Sequence, residues 1–171
     1  MKIFTLCFLF FISTFSVAQS PEEMIIELDI KLPTPVTPVA NFVDVVRVGN
    51  LLYLSGKGPK NPDGSYIVGK VGSTITVEEA KLAAKLVASH QLAVLKTELG
   101  SLNRVKRIVK VLGMVNCDAT FTQHPMVING FSDVMVAVFK EKGKHARSAV
   151  GMNSLPFNMV VEIEVIVEIE D

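Results

Sequence analysis

The residues best equipped for chemistry lie between Ala146 and Glu170, in the stretch ARSAVGMNSLPFNMVVEIEVIVEIE. Arg147 stands there among Ala, Val and Gly residues, with no carboxylate close to it in sequence. A guanidinium is permanently charged, and its planar fork matches a carboxylate with two parallel hydrogen bonds. Further along, Val161, Ile163, Val165, Val167 and Ile169 alternate with Glu162, Glu164, Ile166, Glu168 and Glu170. That period of two belongs to a strand with one covered face. A glutamate beside apolar neighbours has its charged form disfavoured, so it can act as a base near neutral pH. A fixed cation and a row of carboxylates on neighbouring strands suit the binding and hydrolysis of a small anionic substrate. A surface arginine, or one paired with Glu162 or Glu164, beside a solvated sheet face would give the same pattern. Periodicity alone does not choose among Glu162, Glu164, Glu168 and Glu170.

Other chemistries find less support. Met1–Lys2, the apolar run IFTLCFLFFISTF and Ser16–Val17–Ala18 have the layout of a secretory signal peptide cut after Ala18. The expected product is exported, periplasmic or secreted, and free of the membrane once the leader is removed. Of 17 Lys+Arg and 17 Asp+Glu, the leader carries Lys2 alone, which leaves a formal charge of −1. A near-neutral surface is a poor electrostatic footprint for nucleic acid. Of the two cysteines, Cys7 leaves with the leader, and Cys117 reads as a small buried hydrophobe at a strand end. His90, His124 and His145 show no clustered ligand spacing, so no metal site is expected.

The elements that must position Arg147 and the glutamates follow from local signals. Residues 1–18 are the leader, 19–40 a lead-in with a short amphipathic helix near Pro21–Leu28 and a proline-rich strap, and 41–171 one domain. Asn41–Val48 and Leu51–Leu54 read as strands joined by a Gly49–Asn50 hairpin turn, after which Ser55–Gly56 leaves the sheet. Thr76 and Glu79 form a capping box for a long helix ended by Gly100. Arg104–Asn116 reads as a strand with Val105, Val109 and Val111 on one side and Arg104, Lys106 and Lys110 on the other. A second helix begins near Pro125 and carries the stripe Val127, Ile128, Phe131, Val134, Met135, Val138 and Phe139. Two helices among these strands give an α+β layer.

Ser55–Gly56 after a strand, Ala146–Arg147–Ser148, Leu155–Pro156 and Val161–Glu162–Ile163–Glu164 together resemble the RidA/YjgF family of small trimeric imine deaminases. The resemblance implies a chorismate-mutase-like sheet with two helices on one face, assembled as a homotrimer with clefts between subunits. It implies that Arg147 binds a substrate carboxylate and that Glu162 orients the hydrolytic water and relays its proton. Ser55, Asn129 and the backbone around Ala149 would line the cleft. Phe42 stands where many members have tyrosine, and Ala149 where many have cysteine, so the pocket should be more apolar. The implied activity is cofactor-free hydrolysis of small 2-imino or enamine acids to 2-oxo acids and ammonia. The alternative is a non-catalytic protein that binds small carboxylate metabolites in the same cleft.

Overall fold

The computed structural model describes residues 19–35 and 40–170, so the expected leader lies outside the described residues. The chain forms α1 (Pro21–Glu27), β1 (Val45–Val48), β2 (Leu51–Lys57), α2 (Val77–Leu99), β3 (Val105–Asn116), α3 (His124–Phe139), β4 (Ala146–Met152) and β5 (Val161–Ile169). The strands make one mixed sheet in the order β1-β2-β5-β3-β4, parallel only between β3 and β4. This is the α+β layer that the sequence pattern predicts and the chorismate-mutase-like arrangement that the resemblance implies, with α2 and α3 packed together over one face.

Local signals account for the helices. The Thr76 hydroxyl accepts from the Glu79 amide while the Glu79 carboxylate accepts from the Thr76 amide, closing the capping box of α2. Gly100 ends α2 in the left-handed conformation at φ 75°, which a side chain would strain. Helix α1 is tied to the domain by Glu22, whose carboxylate accepts from Lys96 Nζ at 2.6 Å and from the Leu102 amide at 2.8 Å. The core lies between helices and sheet, where Leu92, Leu95, Val111, Phe131, Met135 and Ile163 are fully buried.

Three strand expectations are corrected. β1 begins at Val45 rather than Asn41. β2 does not leave the sheet at Ser55: it runs to Lys57 through a bulge, with Leu54 opposite Val165 and Lys57 opposite Ile163. β3 begins at Val105, and irregularities between Val105 and Arg107 and between Ile108 and Lys110 break its simple alternation. Ile108, not Val109, is therefore buried with Val105 and Val111. Each bulge inserts a residue and reverses the facing of the residues beyond it.

Register assigns the faces. Val111, Gly113, Val165 and Ile163 lie on the helix side, since a Cβ on Gly113 would overlap Ile128 of α3. Leu112, Met114, Glu162 and Glu164 lie on the opposite side, which no helix among the described residues covers.

Candidate functional site

Arg147 sits on β4, one of the two edge strands, opposite Val111 of β3, and so faces the helices. Its Nη1 donates to Asn129 Oδ1 at 2.9 Å and to Ser132 Oγ at 3.0 Å. Asn129 and Ser132 are three residues apart on α3, which puts them on one helical face. No carboxylate of the described residues lies within ion-pairing distance of Arg147, so pairing with Glu162 or Glu164 does not occur within the chain. Ala149, opposite Gly113, shares this face and packs against the core. Asn129, Arg147 and Ala149 thus form one group.

Glu162 belongs to a second group on the other side of the sheet, opposite Met114. It is half-buried, and no hydrogen-bond donor of the described residues reaches its carboxylate. Burial pushes its carboxyl above the ordinary value, and the like charge of Glu164 adds to the effect. A Cβ on Gly56 would overlap this carboxylate, so the β2 bulge presents bare backbone to it. Ser55, at the same bulge, donates its hydroxyl to the Val43 carbonyl at 2.7 Å and holds the segment carrying Phe42 beside the strand end. Phe42 itself is 54% exposed.

The six residues therefore divide into Arg147, Asn129 and Ala149 on one side and Glu162, Ser55 and Phe42 on the other, and a single chain does not bring the two groups together. β3 separates the strands that carry Arg147 and Glu162, and their side chains leave opposite faces.

Three residues were not singled out from the sequence. Gln91 of α2 is fully buried, and its Nε2 donates to the Ser55 carbonyl at 3.0 Å and the Ile163 carbonyl at 2.8 Å. It braces the bulge against the strand of Glu162. Ser132 and His145 surround Arg147; their signals were the three-residue spacing from Asn129 and the two-residue spacing before Arg147.

Of the remaining glutamates, Glu168 and Glu170 have partners and Glu164 has none among the described residues, while Cys117 lies against a histidine. Glu168 accepts from Lys106 at 2.7 Å and Arg107 at 2.9 Å, as a basic strand beside the carboxylate row predicts. Cys117 is buried 3.4 Å from His124 Nε2, and burial pushes its thiol up, which disfavours the thiolate. Among the described residues, no three His, Cys, Asp or Glu side chains converge as metal ligands would. A groove of about 460 Å³ between α2, α3 and the segment after α1 includes none of the six residues.

Comparison with known proteins agrees with this architecture. Residues 22–169 match the family model described as "YjgF/chorismate mutase-like, putative endoribonuclease". The chain is 41% identical to Protein TCP17 of Trypanosoma cruzi over 145 residues, 84% of this chain and 91% of the relative. It is similar to the crystal structure of Atu1372 from Agrobacterium tumefaciens, a protein of unknown function, at 42% identity and TM-score 0.80, covering 88% of this chain and 94% of that one. It is also similar to RidA from an Antarctic Psychrobacter, at 30% identity and TM-score 0.56, covering 80% and 94%. Fold, register and matched span agree that the chain belongs to the YjgF/chorismate mutase-like family.

Proposed function

We propose that the protein hydrolyses small 2-imino or enamine acids to 2-oxo acids and ammonia, in a site built from the Arg147 group of one subunit and the Glu162 group of the next. The observation that carries this reading is the complementary state of the two groups. Among the described residues, Arg147 retains unpartnered donors on a guanidinium that is already held, and Glu162 is a carboxylate without a donor whose basicity is raised. Across a subunit boundary, the first would hold the substrate carboxylate and the second a water at the C=N carbon. Attack forms the C–O bond as the C=N electron pair moves to nitrogen. Glu162 takes the water's proton and returns it to nitrogen, which gives a carbinolamine; it then carries the carbinolamine hydroxyl proton to the same nitrogen, and ammonia leaves with the C–N electron pair as the C=O bond forms.

The uncovered sheet face supports a homotrimer. It bears Val46, 51% exposed, and Tyr53, 43% exposed, in register with each other, and Val150, 37% exposed, near Glu162. Apolar side chains on a sheet face without a second layer call for another copy. Endoribonuclease and deaminase chemistry make different demands, and a near-neutral chain lacks the net positive charge that favours RNA binding. Export follows from the leader reading; sequencing the exported protein should find Gln19 first, whereas an intact Met1 would exclude it.

The test is ammonia release from a 2-imino acid generated by an amino-acid oxidase, with the uncatalysed rate subtracted. Acceleration over buffer is expected. Binding of a 2-oxo acid that depends on Arg147, without acceleration, would instead make this a carboxylate-binding protein.

A further inference from the structure

His145 and Arg147 are two residues apart on the approach to β4 and its second position, so both side chains point toward α3. His145 Nδ1 lies 2.7 Å from the Gly143 carbonyl, and its Nε2 lies 3.0 Å from Ser132 Oγ. Gly143 itself packs closely on the backbone of α3, since a Cβ there would overlap the Met135 carbonyl. A carbonyl only accepts, so Nδ1 carries the hydrogen; Nε2 of the neutral ring is then an acceptor and takes the Ser132 hydroxyl hydrogen. Burial, with the nearby Arg147 charge, keeps His145 below its ordinary value despite the Gly143 bond, so the neutral ring is the form present at neutral pH. With its hydrogen committed to His145, Ser132 Oγ turns a lone pair to Arg147 Nη1 at 3.0 Å. Asn129 Oδ1 takes the same nitrogen at 2.9 Å.

Nη1 has two hydrogens and now two protein acceptors. The end-on fork formed by both terminal nitrogens is thereby unavailable to a ligand. The Nε and Nη2 hydrogens remain, and they define a side-on fork with one direction of approach.

We propose that Ser132 and His145 are positioning residues, which commit Arg147 Nη1 to the protein so that a substrate carboxylate is taken only on the Nε/Nη2 edge. This deepens the proposed function by specifying how the carboxylate is received, and it rests on Arg147 being the anion site. The chain Gly143–His145–Ser132–Arg147 orients the fork without touching substrate. Its loss leaves the charge in place but lets the fork rotate.

The test uses the full exported chain labelled with ¹⁵N-arginine, with pyruvate as carboxylate probe and pyruvamide as its neutral counterpart. In the unmutated protein, restricted rotation should give Arg147 separate signals for Nη1 and Nη2. Ser132→Ala and His145→Phe should merge them and weaken pyruvate binding about tenfold, as loss of a hydrogen bond to a charged group does. Pyruvamide binding should not change. Ser132→Thr and His145→Gln, which retain a hydroxyl and an acceptor, should recover most of both properties, which a loss of folding would not allow. Separate Nη signals and unaltered pyruvate affinity in Ser132→Ala and His145→Phe would overturn the positioning role. Restricted rotation lost in the variants, with no pyruvate binding by any form, would keep the positioning chain and reject the anion site instead.

Discussion

The two groups of candidate residues are built on opposite principles. Around Arg147, the hydrogen bonds come from α3: Asn129 and Ser132 take one nitrogen, and His145 holds Ser132. Around Glu162, contacts are withheld: Gly56 offers no side chain, no described donor reaches the carboxylate, and Gln91 braces the backbone on either side without touching the acid. A binding cation gains from fixed geometry, because orientation is what a carboxylate fork recognises. A base gains from being left unsatisfied, because each hydrogen bond to the charged form would lower its proton affinity. The difference teaches that one sheet can hold a permanent charge rigidly on one face and tune a titrating charge on the other.

The largest expected effect breaks this comparison at both ends. Glu162→Gln should slow ammonia release by a factor on the order of 10² to 10⁴, the contribution of a positioned acid–base, with little change in 2-oxo acid binding. Arg147→Lys should cost roughly 10² in kcat/KM although the charge is kept, because an ammonium cannot orient the substrate. Glu164→Gln, one pleat along and exposed, should leave the neutral-pH rate nearly unchanged. Mixing the Arg147→Lys and Glu162→Gln chains under conditions that exchange subunits should then restore about a quarter of the sites of a symmetric oligomer, those taking both intact residues from different copies. No recovery after proven exchange would place both residues' work within one chain and reject the split site.

The next effect sharpens the comparison by testing what braces the Glu162 side. Gln91→Leu is close to the glutamine in size but leaves the Ser55 and Ile163 carbonyls without their donor. A buried acceptor left unsatisfied costs about 1–3 kcal/mol, so the unfolding free energy from urea titration should fall by that amount and the midpoint should move to lower urea. The rate should fall as the bulge relaxes, while Ser132-dependent pyruvate binding is preserved. A variant with unchanged stability would mean that the two bonds are replaced or unnecessary.

Much of this was legible in the sequence because it depends on local pattern. The capping box at Thr76, the Gly49–Asn50 hairpin, the alternation of β5 and the stripe on α3 each reflect a rule that acts within a few residues. The bulges of β2 and β3 were not legible, because a bulge depends on what the partner strand opposes. Ser55–Gly56 read as the end of a strand when it is an irregularity inside one, and Val109 was assigned a burial that belongs to Ile108. Gln91 escaped notice because a polar residue on an apolar helical face is informative only once its carbonyl partners, 36 and 72 residues away, are known. The resemblance implied a cleft between subunits, but the division of the residues within one chain was hidden: sequence order makes Arg147 and Glu162 near neighbours, whereas the strand order inserts β3 between them.

The smallest effect concerns the titration of Glu162 itself. Its carboxyl is raised above the ordinary 4.5 by burial and then by Glu164. As pH increases, the unfolded chain gives up this proton first, and between the two values the native state holds more of it. Native stability therefore falls as pH rises through that interval and levels off above the folded value. The side chain is only half-buried, so solvent screening keeps the change modest. Glu162→Gln has no such proton, so at constant protein concentration the difference in melting temperature between it and the unmutated chain should grow with pH above 4.5 and then become constant. The same ionisation supplies the base, so the rate of the unmutated protein should rise over the interval in which its stability falls. Glu164→Gln removes the like charge and should shift both curves toward lower pH. Parallel melting curves for Glu162→Gln and the unmutated chain would show that Glu162 titrates as an ordinary surface glutamate, and would leave the proposed base without its distinguishing property.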